Sequence, residues 1–74
     1  MQENEIKEYL KRELDKGQTV EVLTDNVVEN TDMLIFIITK HESEQMDKIS
    51  RLKKIAFVKR YIENYKKYFY TSRK

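Results

Sequence analysis

No cysteine occurs in this chain of 74 residues, and His41 is its one histidine. Neither a disulfide nor a thiolate zinc site can hold it together. A chain of this size hides only about 60–65% of the surface its unfolded form exposes, and small domains commonly lean on such staples. Stability therefore has to come from apolar packing, within one copy or across two. A single Gly and no Pro leave no material for a Gly-rich phosphate loop.

Charge divides the chain more sharply than its formal net of +2 suggests. Residues 1–47 hold 12 acidic and 5 basic side chains, a net of −7, whereas residues 48–74 hold 10 basic and 1 acidic, a net of +9. Such asymmetry points to an anionic partner or to a match between the two halves. The opening Met1-Gln2-Glu3-Asn4-Glu5 is acidic and polar, unlike a secretory leader. The longest apolar run, Met33 to Ile38, is far short of the about 20 residues a helix needs to cross a bilayer. The expectation is a soluble, cytoplasmic protein without a membrane span.

One domain over residues 1–74 is expected, with an α+β fold in the order α-β-β-α. Residues 4–16 predict a helix, because Ile6, Leu10 and Leu14 recur every four residues with Tyr9 beside them. Glu3, Glu5 and Glu8 near its start and Lys11, Arg12 and Lys16 near its end complement the helix dipole. Gly17 suits the left-handed position past the last turn. Residues 18–24 predict a strand from the β-branched Thr19, Val20, Val22 and Thr24. The polar stretch Asp25 to Asp32 follows as a loop, with Val27 and Val28 folding it back onto the domain. Residues 33–39 predict a second strand, apolar on both faces. The two strands form an antiparallel hairpin packed by helices.

Residues 41–70 predict a long helix, with room for a break near Ser50. Thr39 and Glu42 fit a capping box at its start. Glu44 and Lys48, Asp47 and Arg51, and Glu63 and Lys67 stand four apart in the favourable order. Ile55, Val58, Ile62, Tyr65 and Phe69 step by threes and fours, and Phe57, Tyr61 and Tyr68 widen that seam. Ile35, Ile37, Leu10, Leu14, Ile55, Val58 and Ile62 are the expected centre of the core. Two features imply a homodimer. An uncharged apolar edge strand is a template for pairing with another chain, and the apolar arc of the last helix exceeds what a small hairpin can cover.

Few residues carry catalytic chemistry. His41 with Ser43 or Ser50 lacks the third group a triad requires, and His41-Glu42 lacks the second histidine of a zinc protease helix. Asp25, Glu29 and Asp32, or Glu42, Glu44 and Asp47, are oxygen clusters without the glycine or spacing of a calcium loop. No catalytic residue, metal site, cofactor or small-molecule substrate is expected. The basic C-terminal helix stands apart. Lys53, Arg60, Lys67 and Lys74 recur every seven residues, and Lys59, Lys66 and Arg73 do so one register earlier. Seven residues are about 10.5 Å of helix, a workable pitch for phosphates gripped without reading sequence.

The segment Tyr65-Lys66-Lys67-Tyr68-Phe69-Tyr70 interleaves cations with rings that either stack on bases or belong to the core. Lying on an anionic membrane surface would expose the arc that the core needs. The leading expectation is a non-enzymatic dimeric nucleic-acid-binding or regulatory protein, with Lys53, Lys59, Arg60, Lys66 and Lys67 on phosphates and no helix-turn-helix. The other is a module that binds a partner protein. It would use the acidic first helix, with Glu3, Glu5, Glu8, Glu13 and Asp15, or the apolar strand edge.

Overall fold

In the computed structural model, which describes residues 2–41 and 49–71, the chain is four α-helices: α1 (Glu3–Asp15), α2 (Val20–Glu29), α3 (Thr31–His41) and α4 (Arg51–Thr71). No strand occurs among the described residues. The α+β expectation is therefore wrong, and the two segments expected to pair as a hairpin are the first turns of α2 and most of α3.

Helix α1 is as its spacing predicts. Ile6 and Leu10 are fully buried and Leu14 nearly so. Its end is closed by a pair of backbone bonds characteristic of a left-handed stop. Gly17 N–H donates to the Leu14 carbonyl at 3.0 Å, and Gln18 N–H donates to the Glu13 carbonyl at 3.1 Å. Gly17 sits at φ +94°, where a side chain is strained although a Cβ would meet nothing within 4 Å.

Residues 20–24 are helical, not a strand, with Thr19 as the cap. Its backbone is extended, and its Oγ1 accepts from the Val22 N–H at 3.2 Å. Val20, Leu23, Thr24 and Val27 are then buried together at helical spacing. The buried Thr24 hydroxyl is satisfied within the helix, donating to the Val20 carbonyl at 2.7 Å. Asp25 and Glu29, expected in a loop, lie on the exposed side of α2, and Asp32 lies in the first turn of α3.

Asn30 alone separates α2 from α3. Its Oδ1 accepts from the Met33 N–H at 3.1 Å and its carbonyl from the Leu34 N–H at 2.9 Å, so it caps α3. Within the apolar run Met33, Leu34, Ile37 and Ile38 are buried, while Ile35 is 43% exposed and leaves the expected core. Thr39 is inside α3 and caps nothing downstream. Its hydroxyl donates to the carbonyls of Ile35 at 2.7 Å and Phe36 at 3.2 Å. The expected capping box thus fails at Thr39, and its Glu42 lies outside the described residues.

The expected helix over 41–70 is not continuous. His41 still belongs to α3, Ile49 is buried, and Ser50 starts α4 by accepting the Lys53 N–H on Oγ at 3.2 Å. Along α4, Val58 and Ile62 are fully buried, with Phe57, Tyr61 and Tyr65 partly buried against the same core. Ile55 is half-buried. α4 packs chiefly on α2 and α3 and more lightly on α1, while α2 and α3 pack on each other. An ion pair from Arg51 to Glu29 at 3.4 Å ties the start of α4 to the end of α2.

The edge-strand argument for a homodimer loses its premise, because no strand occurs among the described residues. The apolar arc of α4 is covered only in part: Val58 and Ile62 are buried and Phe57, Tyr61 and Tyr65 partly so, whereas Tyr68 is 78% exposed.

Candidate nucleic-acid interface

Helix α4 has two faces because its apolar residues step by threes and fours while its cations step by sevens. At about 100° per residue, Val58 and Ile62 mark the core side. Lys53, Arg60 and Lys67 then fall on the opposite side within about 40° of one another. Lys59 and Lys66 lie on one flank of that stripe. All five are exposed. No carboxylate lies within 4 Å of any of them among the described residues. Glu63, the one acid on α4, lies between the two stripes without closing the expected pair with Lys67. Arg51 is the exception among the exposed cations of α4, being paired with Glu29; its expected partner Asp47 lies outside the described residues.

The remaining cations of the two series, Arg73 and Lys74, lie outside the described residues, as do Glu42, Ser43, Glu44, Asp47 and Lys48. Ser50 is the cap of α4. Among the described residues no three His, Asp or Glu side chains come together as metal ligands. No helix of the described residues is long and apolar enough to cross a membrane.

Of the five acids expected to form a face on α1, two are paired within the helix. Glu3 pairs with Lys7 at 3.3 Å, and Glu13 pairs with Lys16 at 3.4 Å and Arg12 at 3.5 Å. Arg12 also lies over the Tyr9 ring, 5.7 Å from its centre. A stronger acidic stripe is on α2, where Glu21, Asp25 and Glu29 are exposed at four-residue steps. No basic residue occurs between positions 20 and 39. In the sequence this stripe is hidden, because Glu21 falls in an expected strand and Asp25 and Glu29 in an expected loop.

A cleft of about 180 Å³ runs beside the basic stripe, lined by Phe57, Arg60, Tyr61 and Asn64. Asn64 was not singled out from the sequence. The spacing of these four residues, three, one and three apart, is the signal that they share one ridge of a helix. Tyr68, one turn beyond Asn64, is 78% exposed. Compared with known proteins, the chain matches no family model, no curated relative and no solved structure.

Proposed function

We propose that the protein is a small non-enzymatic binder of nucleic acid that grips phosphates with the outer face of α4. The observation that carries this is the fate of that face during folding. Its core side is consumed by packing, while Lys53, Lys59, Arg60, Lys66 and Lys67 keep their charge exposed and, among the described residues, free of carboxylates. Unpaired cations in a stripe attract a polyanion and release its condensed counterions. They contact backbone oxygens and carry no sequence information. One copy of the chain suffices, and the reading assigns no chemical step to the protein.

The test is a salt titration with labelled oligonucleotides. Affinity should fall steeply between about 50 and about 200 mM salt, with a logarithmic slope of about −0.7 to −0.9 per phosphate neutralised. Replacing Lys59, Arg60, Lys66 and Lys67 together by Gln should remove most of that slope and leave the fold intact. Absence of binding at low salt, or binding indifferent to the four replacements, overturns the proposal.

A second reading rests on the stripe of Glu21, Asp25 and Glu29. It would steer a basic partner protein toward α2, raising association rate more than affinity. Reversing Glu21 and Asp25 to Lys should slow capture of that partner and leave oligonucleotide binding at least as strong.

A further inference from the structure

The phosphate reading leaves open whether the bound strand is paired, and the flank of α4 opposite Lys59 and Lys66 bears on this. We propose that α4 holds a single strand, with one unpaired base in the cleft of Phe57, Arg60, Tyr61 and Asn64 and a neighbouring base stacked on Tyr68. The inference rests on the function proposed above and adds the form of the nucleic acid.

Three observations converge on that flank. The first is the division of the aromatic rings. Tyr9, Phe36, Phe57, Tyr61 and Tyr65 are partly buried against the core, whereas Tyr68 is 78% exposed. An exposed ring beside a stripe of cations is the stacking platform used for unpaired bases, and it tolerates any base. The second is the size and chemistry of the cleft. Its volume of about 180 Å³ is slightly more than the about 150 Å³ that receives a benzene-sized ring. It is below the about 300 Å³ of a drug-sized site. Asn64, which is exposed, brings an amide with both donors and an acceptor to its mouth. An unpaired base offers the matching edge, which pairing hides in a duplex.

The third observation is spacing. Arg60 belongs both to the cleft and to the stripe with Lys53 and Lys67, so a base in the cleft has its backbone beside the cations. Tyr68 stands four residues beyond Asn64 and eleven beyond Phe57, about 6 to 16 Å along the axis from the two ends of the cleft. Stacked bases of a duplex strand rise only about 3.4 Å. Two bases held at this distance have to be unstacked from each other, which a single strand allows and a duplex resists.

The experiment compares a short labelled oligothymidylate with a duplex of equal length, at one low salt concentration, on wild type, Tyr68→Ala, Tyr68→Trp and Asn64→Ala. Tyr68 and Asn64 are exposed, so the fold should survive, and circular dichroism confirms that for each variant. Wild type should prefer the single strand. Tyr68→Ala should weaken single-strand binding about ten-fold, within the range for one lost stack, and leave duplex binding unchanged. Tyr68→Trp should restore it, with indole fluorescence quenched by the single strand only. Asn64→Ala should weaken single-strand binding by less than Tyr68→Ala does. Equal affinity for both forms, or a Tyr68→Ala protein equal to wild type on the single strand, overturns the inference and leaves the phosphate reading standing. Failure of both oligonucleotides to bind overturns both.

Discussion

Helices α3 and α4 are both rich in apolar residues, yet they use them differently. α3 places Met33, Leu34, Ile37 and Ile38 in the core within two turns, packed against both α2 and α4. Its exposed side offers little beyond Thr31, Asp32, Ile35 and Thr39. α4 is nearly twice as long, and its fully buried residues are Val58 and Ile62, with half-buried rings beside them. Its far side carries Lys53, Arg60 and Lys67 and one flank carries Lys59 and Lys66, none of them paired with a carboxylate among the described residues. The interior helix is specified chiefly by burial. The helix at the margin meets the core with one face and leaves the other exposed.

The sharpest way to break this comparison is to attack each helix at its buried side. Ile37→Ala in α3 and Ile62→Ala in α4 each empty a fully buried site and should cost about 2–5 kcal/mol in urea denaturation. That is a large part of the about 4–11 kcal/mol available to a chain of this length. If Ile62→Ala were mild, α4 would not be part of the core. On the outer side, Lys59→Gln and Lys66→Gln should leave the urea midpoint almost unmoved while weakening oligonucleotide binding.

Smaller effects test how the helices end. Gly17→Ala should destabilise by about 1–2 kcal/mol through its positive φ alone, since a Cβ there meets no neighbour. Thr19→Ala and Asn30→Ala should each cost about 1 kcal/mol through a lost cap, read as a shift in thermal midpoint. Ile35→Ala, on the exposed side of α3, should cost well under Ile37→Ala. Arg51→Ala should change stability least, by about 0–1 kcal/mol, because its pair with Glu29 is exposed.

The legible parts of the fold are those where charged residues isolate the apolar ones. Around Ile6, Leu10 and Leu14, or Val58 and Ile62, polar neighbours leave only the helical period open, and these segments are as expected. Between 18 and 24 and between 33 and 39 the residues are β-branched or continuously apolar. Such runs fit a strand and a buried helix equally well, and propensity then gives way to tertiary packing. What decides them is a pair of cap side chains, Thr19 and Asn30, whose hydrogen bonds to Val22 and Met33 start the two helices.

For the candidate site, the five cations were legible because their seven-residue steps keep them clear of the apolar seam. Their exposure follows from the phase of α4. The roles of the interleaved rings were not legible, because they turn on that same phase. Tyr65 continues the line of Val58 and Ile62 into the core, and Tyr68 falls on the flank. The cleft beside Asn64 depends on how α4 is seated and has no sequence signature of its own beyond the shared ridge.

The most direct test of the division within α4 is an NMR titration of the labelled protein with oligothymidylate at low salt. Shifts confined to amides and side chains at Lys53, Lys59, Arg60, Asn64, Lys66, Lys67 and Tyr68, with the methyls of Ile37 and Val58 unmoved, are the expected result. Shifts centred on α1 or α2, or none at any oligonucleotide concentration, would contradict it.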